Sequence, residues 1–274
     1  MKLGLGLGIN KGGFVKPNLF RDATLAFSLR DLGLGAGDII EVRRDSNNDF
    51  DRFTADQINN GSVESFTNGL GLVTWWKEQN GSANDAIQNT STKQPIIVDS
   101  SANLVTENGK PSILVTGSQN MLVSNLNYDN TDNISVYTVG KYSNTNSNAK
   151  YIYNLTDAGA RLSDNFIGNR SFNNNFTSFI NNSTNTKLND ITPSDINFNL
   201  FVDKLNNGNF IKKINTVENT ITGYPQFSPT KLFLFSAGNS SGFHEGKVSE
   251  FIVFRQQDAP TDIEKNINNY YGIY

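Results

Sequence analysis

The chain has 274 residues, enough for one large β-type domain or for one domain with an assembly arm. Charged residues make up 18% and the net charge is -3, so bulk electrostatics gives no case for a nucleic-acid or acidic-ligand partner. With no cysteine and one histidine, a disulfide framework, thiolate chemistry and a multi-histidine metal site are excluded.

Aromatic residues reach 11%, with 19 phenylalanines, against 36% hydrophobic residues overall, and asparagine is abundant. That balance points to a β-rich protein with polar loops and a core of few, large side chains. No apolar run approaches the ~20 residues of a membrane span, so no membrane insertion is expected. The N-terminus lacks the continuous apolar block of a signal peptide, and synthesis in a cytoplasm is expected.

Residues 2–9 alternate Leu or Ile with Gly in strict period two, placing Leu3, Leu5, Leu7 and Ile9 on one face of an extended strand. Glycine on the other face allows close approach to another surface. Lys2, Lys11, Lys16 and Arg21 precede the first acidic residue, Asp22, so the segment is locally basic. Two readings stand: an edge strand of the main domain, or an assembly arm over residues 1–20 that docks on a partner by strand addition. Residues 21–274 then form one domain, with a helix- and turn-rich first part (21–110) followed by the main strands and a C-terminal helix (111–274).

Asp22 is a candidate N-cap for a helix to about Leu32, with Leu25, Leu29 and Leu32 on one face and Gly33, Gly35 and Gly37 ending it. Residues 39–44 read as a strand and 45–49 as a polar turn. Thr54-Ala55-Asp56-Gln57 is a capping-box pattern, and a second short helix is expected over Ser62–Thr67. A β-type run at 72–76 precedes an Asn80-Gly81 turn, and another follows Pro95. That first run holds both tryptophans. Trp75 and Trp76 are consecutive, so a strand sends them to opposite faces: one can serve as a sugar platform while the other enters the core.

Beyond Pro111, residues 113–116, 134–139, 150–153, 198–202, 231–235 and 247–254 read as strands between Asn-, Ser- and Gly-rich loops. Several are apolar on both faces, as for strands covered on both sides. Residues 165–189 read as one or two edge strands or a long loop. In the tail, Thr261 is a candidate N-cap with Glu264 three residues on, and Ile263, Ile267 and Tyr270 make an apolar stripe.

Two pieces carry a resemblance. Ala26-Phe27-Ser28-Leu29-Arg30-Asp31-Leu32, Val42-Arg43-Arg44, the stretch from Trp75-Trp76-Lys77-Glu78-Gln79-Asn80-Gly81 to Asn84-Asp85-Ala86-Ile87-Gln88, and Gln94-Pro95 resemble, in order and spacing, the α-L-arabinofuranosidase B catalytic-domain family. A similar block occurs in bacteriophage virion proteins of head-fibre or tail type. Gly246-Lys247-Val248-Ser249-Glu250-Phe251-Ile252-Val253-Phe254 and the helix after it resemble the end of concanavalin-A-like, laminin-G-type domains. Both resemblances imply a mainly β fold, a concanavalin-A-like jelly-roll sandwich of two antiparallel sheets. They also imply a phage structural protein (head fibre, capsid decoration or tail), a homo-oligomer whose partners are other virion proteins and a host-surface glycan. The expected location is the virion.

The alternative is a glycoside hydrolase of arabinofuranosidase type. A retaining glycosidase needs two carboxyl groups about 5–5.5 Å apart, and Asp85, Asp157, Asp164, Asp203, Glu245 and Glu250 are candidates by position. None sits in a pattern matching the family's catalytic residues, and the family's Tyr-Asp-Gln-Ser-Gly is here Trp76-Lys77-Glu78-Gln79-Asn80-Gly81. No catalytic residue is therefore assigned. His244, between Phe243 and Glu245 in an expected loop, is a candidate glycan contact beside Trp75 and Trp76, and a lone loop histidine is expected to face solvent. No cofactor is assigned; the oxygen-rich loops 45–51 and 127–133 are the places where calcium could coordinate, although neither has EF-hand spacing.

Overall fold

A computed structural model of the chain describes residues 18–124, 126, 133–144, 149–157, 166–173, 175–182, 185–192, 197–225, 228–238, 241–255 and 259–274. The Leu-Gly segment with Leu3, Leu5, Leu7 and Ile9 lies outside the described residues, as does the expectation of an arm built on it.

The first part of the domain contains β1 (Leu25–Ser28), β2 (Asp38–Arg44), β3 (Phe50–Thr54), α1 (Ala55–Asn59), α2 (Ser62–Thr67), β4 (Gly71–Trp76), β5 (Ala86–Ile87) and β6 (Ile96–Val98). A two-stranded hairpin of β7 (Thr106–Glu107) and β8 (Lys110–Pro111) leads to β9 (Ile113–Thr116) and β10 (Met121–Val123). The long strands follow: β11 (Ile134–Tyr142), β12 (Lys150–Thr156), β13 (Phe166–Phe172), β14 (Asn175–Asn182), β15 (Asn185–Ile191), β16 (Asn199–Asn206), β17 (Asn209–Ile214), β18 (Val217–Thr222), β19 (Lys231–Leu234) and β20 (Glu245–Arg255). Helix α3 (Ile263–Tyr271) closes the chain.

Strand β20 is the axis of one layer. Along one edge it pairs β9 through Glu245↔Thr116 to Val248↔Ile113, then β1 through Glu250↔Ser28 to Val253↔Leu25. Its other edge pairs β11, and β16, β17 and β18 continue outward. The facing layer runs β10, β19, β12, β13, β14, β15. Strand β4 joins the two layers: β6 links it to β9 and β5 links it to β10, while β2 and β3 extend from its other side. The result is a large curled antiparallel sheet, the expected jelly roll.

Large rings fill the space between the layers, as the composition requires. Tyr153 meets Phe251 at 5.2 Å, Tyr142 meets Phe176 at 5.1 Å, and Phe176 meets Phe201 at 5.2 Å. A second core lies on the outer face of β11, β16 and β20, where α3 seats Ile263, Ile267 and Tyr271 over Tyr137, Leu200, Ile252 and Phe254. This double burial explains why residues 251–254 of β20 are apolar on both faces. At the start of β20, Gly246 has φ +150, and a Cβ there would lie 1.8 Å from the Lys141 carbonyl oxygen. Only glycine lets β11 and β20 approach at this point.

Several expectations hold. Thr54 and Gln57 form the capping box of α1, and α2 covers Ser62–Thr67. Three are corrected. Residues 22–32 are not a helix, and within them Leu25–Ser28 form β1: Leu25 and Phe27 enter the core between the layers while Ala26 enters the core under α3. Two cores and four ladder partners on β20 outweigh the 25/29/32 spacing. Residues 166–172, 175–182 and 185–191 form three strands, and Asn169, Ser178 and Asn189 among them are buried, hydrogen-bonded polar groups. The tail has no capping box: Asp262 precedes α3 without a side-chain bond, and Glu264 instead pairs with Lys204 and Lys213. Tyr271, not Tyr270, is the buried residue of that stripe.

Candidate functional site

The face carrying Trp75 is built by register. Arg52 on β3 is opposite Glu41 on β2, Glu41 is opposite Trp75 on β4, and Trp75 is opposite Ile87 on β5. Four residues distant in sequence thus form one row across four strands. The ladder between β2 and β4 slips between Glu41 and Val42, so Thr74 is the extra residue of a bulge. Bulges re-aim side chains. Here the Thr74 hydroxyl donates to Glu41 Oε1 at 2.9 Å.

The row surrounds a cleft of about 290 Å³. Phe50 and Ile87 border it and are 55% and 44% exposed. Arg52 Nε donates to Glu41 Oε2 at 2.9 Å, and its guanidinium lies 4.8 Å over the Trp75 ring. Trp75 is half-buried, and its Nε1 donates to Asp85 Oδ2 at 2.8 Å. That bond fixes the ring's angle, and Asp85 is itself held by the Glu78 amide at 2.9 Å. A fixed aromatic ring, two apolar rims and a few polar groups are the ingredients of a small-molecule site.

Trp76 goes the other way. It is fully buried, 5.6 Å from Phe27 and stacked at 6.4 Å on Phe235, with Nε1 donating to the Ser28 carbonyl at 3.3 Å. The tryptophan pair therefore splits as the strand period requires, and Trp76 is withdrawn from any ligand.

His244 is corrected. It is fully buried, with its ring edge-on to Tyr142 at 4.7 Å, because the run into β20 is tied to its neighbours: Phe243 bridges Tyr151, and the His244 amide donates to the Phe235 carbonyl at 2.7 Å. Neither ring nitrogen has a hydrogen-bond partner of good geometry among the described residues. Burial pulls its pKa down to about 3, against weaker upward pulls from the Lys141 backbone and Glu245.

The candidate carboxylates do not converge. Asp203 lies in the core, accepting from Tyr153 at 2.7 Å and Asn169 at 3.1 Å, with Ser178 and Lys212 on its other oxygen. Glu250 accepts from Ser28, Arg30 and Tyr271. Glu245 pairs with Lys150 and Asn144, and the Lys150 hydrogen bond holds its pKa below the ordinary value. Asp85 holds Trp75, Asp157 follows β12 with its carbonyl accepting from the Thr230 hydroxyl at 3.0 Å, and Asp164 lies outside the described residues. The side chains of Asp85, Asp203, Glu245 and Glu250 each serve their own network.

The block that resembles the arabinofuranosidase domain is scaffold. Glu78, 1% exposed, accepts from the amides of Ala26, Asn80 and Ser82 and from the Ser82 hydroxyl. Gln79 donates to the carbonyls of Ser28 and Arg30 and accepts from Leu32 N. Buried Gln94 bridges Arg43 and the Gln88 carbonyl. In the 45–51 loop, Arg43 binds the side-chain oxygens of Asp45 and Asn48, so a cation's place is already filled by a guanidinium. Among the described residues no group of three or more His, Asp or Glu side chains could hold a metal ion, and no helix is long and apolar enough to cross a membrane.

Sequence reasoning found Trp75 but missed Glu41, Phe50, Arg52 and Asn89. The signal was the alternation within residues 39–44 and 50–54, which marks outward positions but not which strands lie side by side.

No protein-family model matches the chain, and no curated protein matches it significantly. Among solved structures, a point mutant of a GH54 α-L-arabinofuranosidase soaked with 4-nitrophenyl α-L-arabinofuranoside superposes with a TM-score of 0.63 at 16% identity. An arabinofuranosidase complexed with arabinofuranosyl-α-1,2-xylobiose superposes at 0.60, also at 16% identity. Both matches cover 91% of this chain and 62% of theirs, so the chain spans less than two thirds of those proteins. At this identity the likeness establishes the fold: a mainly β, concanavalin-like jelly roll shared with arabinofuranosidases.

Proposed function

We propose that the chain is a carbohydrate-binding jelly roll whose β3–β2–β4–β5 face takes a glycan against Trp75. The observation that carries this is the split of the tryptophan pair, with Trp75 held at fixed angle in a cleft rimmed by exposed Phe50 and Ile87. Aromatic rings with one apolar face and a polar handle suit sugars, whose C–H faces pack on the ring while their hydroxyls bond at its rim. Proteins of the same fold hold arabinofuranosyl ligands in the solved structures. A glycan array probed with the intact chain is expected to give hits that Trp75→Ala abolishes. Hits that survive Trp75→Ala place the site elsewhere.

The setting proposed for this binding is a phage particle, in a head-fibre, decoration or tail component adhering to a host-surface glycan. Its support is the sequence resemblance at both ends of the chain and the Leu-Gly segment suited to strand addition. Particles assembled with residues 1–20 deleted are expected to lose the protein. Full occupancy by the truncated chain contradicts the arm.

A hydrolase is the second reading, favoured by the arabinofuranosidase likeness over 91% of the chain. The commitment of Asp85, Asp203, Glu245 and Glu250 to internal partners weighs against it. Release of 4-nitrophenol from 4-nitrophenyl α-L-arabinofuranoside by the purified chain decides for the enzyme; glycan binding without turnover decides for the binding module.

A further inference from the structure

We propose that the ligand of the Trp75 cleft is an acidic glycan, with a sugar carboxylate received by the free end of the Arg52 guanidinium. This rests on reading the face as a glycan site and adds the chemical class of what it binds.

Most of the hydrogen-bonding capacity around the cleft is already committed. Thr74 gives its hydroxyl proton to Glu41, and each Glu41 oxygen already accepts one bond, from Thr74 and from Arg52. Gln88 donates to the Asn120 carbonyl and accepts from the Thr90 amide. Gln94 accepts from Arg43 and donates to the Gln88 carbonyl. The Trp75 indole N–H is given to Asp85. Each of these polar groups already has a partner within the protein.

Two groups at the cleft are different. Arg52 uses only Nε, so its two terminal nitrogens make no hydrogen bond among the described residues, and its side chain is 55% exposed. The Asn89 side chain is exposed and likewise without a partner. The uncommitted capacity is therefore weighted toward donors, and its strongest part is the outer edge of a guanidinium. That edge presents parallel N–H groups matched to a carboxylate.

Glu41 and Trp75 complete the device by holding the fork still. Glu41, anchored by Thr74, fixes Arg52 through Nε, and the indole ring supports the guanidinium from below. A long flexible side chain is thus oriented before a ligand arrives, which lowers the entropy cost of using it. Glu41 also cancels the charge of Arg52, so recognition depends on the directed bonds more than on a long-range field.

The test uses matched probes on the full chain. Trigalacturonic acid is compared with its methyl ester, which removes charge at nearly constant shape, and 3′-sialyllactose with lactose. Charge-assisted bonds contribute about 1.5–3 kcal/mol, so at least one acid is expected to bind roughly tenfold or more tightly than its neutral partner by calorimetry. Arg52→Gln is expected to erase that ratio, and Arg52→Lys, which keeps charge but loses the fork, to reduce it; an unchanged thermal midpoint checks folding. Equal binding of acid and neutral forms, or a ratio that survives Arg52→Gln, overturns the acidic-glycan proposal and leaves the glycan site standing. No binding by these probes or by any glycan of an array overturns the site itself.

Discussion

Arg30 and Glu250, 220 residues apart, form a buried two-point ion pair: Nε to Oε2 at 2.7 Å and Nη2 to Oε1 at 3.0 Å. Ser28 and Tyr271 also donate to Glu250 Oε2, and Phe20, Tyr270 and Tyr271 lie around the guanidinium. Burial works against the Arg30 charge, but Glu250 outweighs it and holds the pKa above the ordinary value. The pair fastens the opening strand to the last strand and to the terminal helix.

Breaking it by removing one partner strands a buried charge. Glu250→Ala is expected to lower the unfolding free energy by about 3–5 kcal/mol in urea denaturation. A loss below about 1 kcal/mol, the range of an exposed pair, contradicts the described geometry.

Lys212 and Asp203 make the second prediction. Both are buried, and burial lowers the Lys212 pKa despite Asp203 nearby. Asp203→Ala is expected to cost about 3–5 kcal/mol, because it leaves the buried ammonium without its paired carboxylate, with only the Ser178 hydroxyl bonded to it among the described residues. Asp203→Leu with Lys212→Met is expected to recover much of that loss. A double variant as unstable as the single one shows that Tyr153 and Asn169, not the charge pair, need the carboxylate.

The tryptophans should separate stability from binding. Trp76→Ala empties a fully buried position and is expected to cost about 3–5 kcal/mol. Trp75→Ala is expected to cost about 1 kcal/mol or less, as for a half-buried surface side chain. Similar losses at both positions in denaturant titrations would place Trp75 in the core.

His244 gives the chain an acid response that can be isolated, since it is the sole histidine. Its folded pKa of about 3 lies below the ordinary 6.5, so below pH 6.5 the unfolded chain takes up a proton that the native one refuses. Stability therefore falls with pH from about 6.5 toward 3, by about 1.4 kcal/mol per unit. His244→Phe is expected to remove that part of the slope whatever its effect at pH 7. In NMR the single His ring signal should not titrate above about pH 4; a midpoint near 6.5 contradicts its burial.

The legible parts of this chain were those with local causes. The Thr54–Gln57 box, the Ser62–Thr67 helix, the opposed tryptophans and the long apolar strands are written in short-range pattern. Residues 22–32 misled because helical spacing and a strand shared between two cores both place Leu at 25 and 29. The Asn-rich strands β13 to β15 misled because their polar residues face inward: Asn169, Ser178 and Asn189 satisfy partners that only the closed sandwich supplies. The cleft was half legible. Trp75 announced itself, whereas Arg52, Glu41 and Ile87 became its neighbours through a register that no local stretch records.

Tryptophan emission distinguishes a glycan platform at Trp75 from the core position of Trp76. Titrating the intact chain with a glycan-array hit should shift or quench emission saturably, and Trp75→Phe should lose that change although Trp76 still emits. An emission change that persists in Trp75→Phe, or an array hit that binds Trp75→Ala as tightly as the unaltered chain, rules out a glycan platform at Trp75.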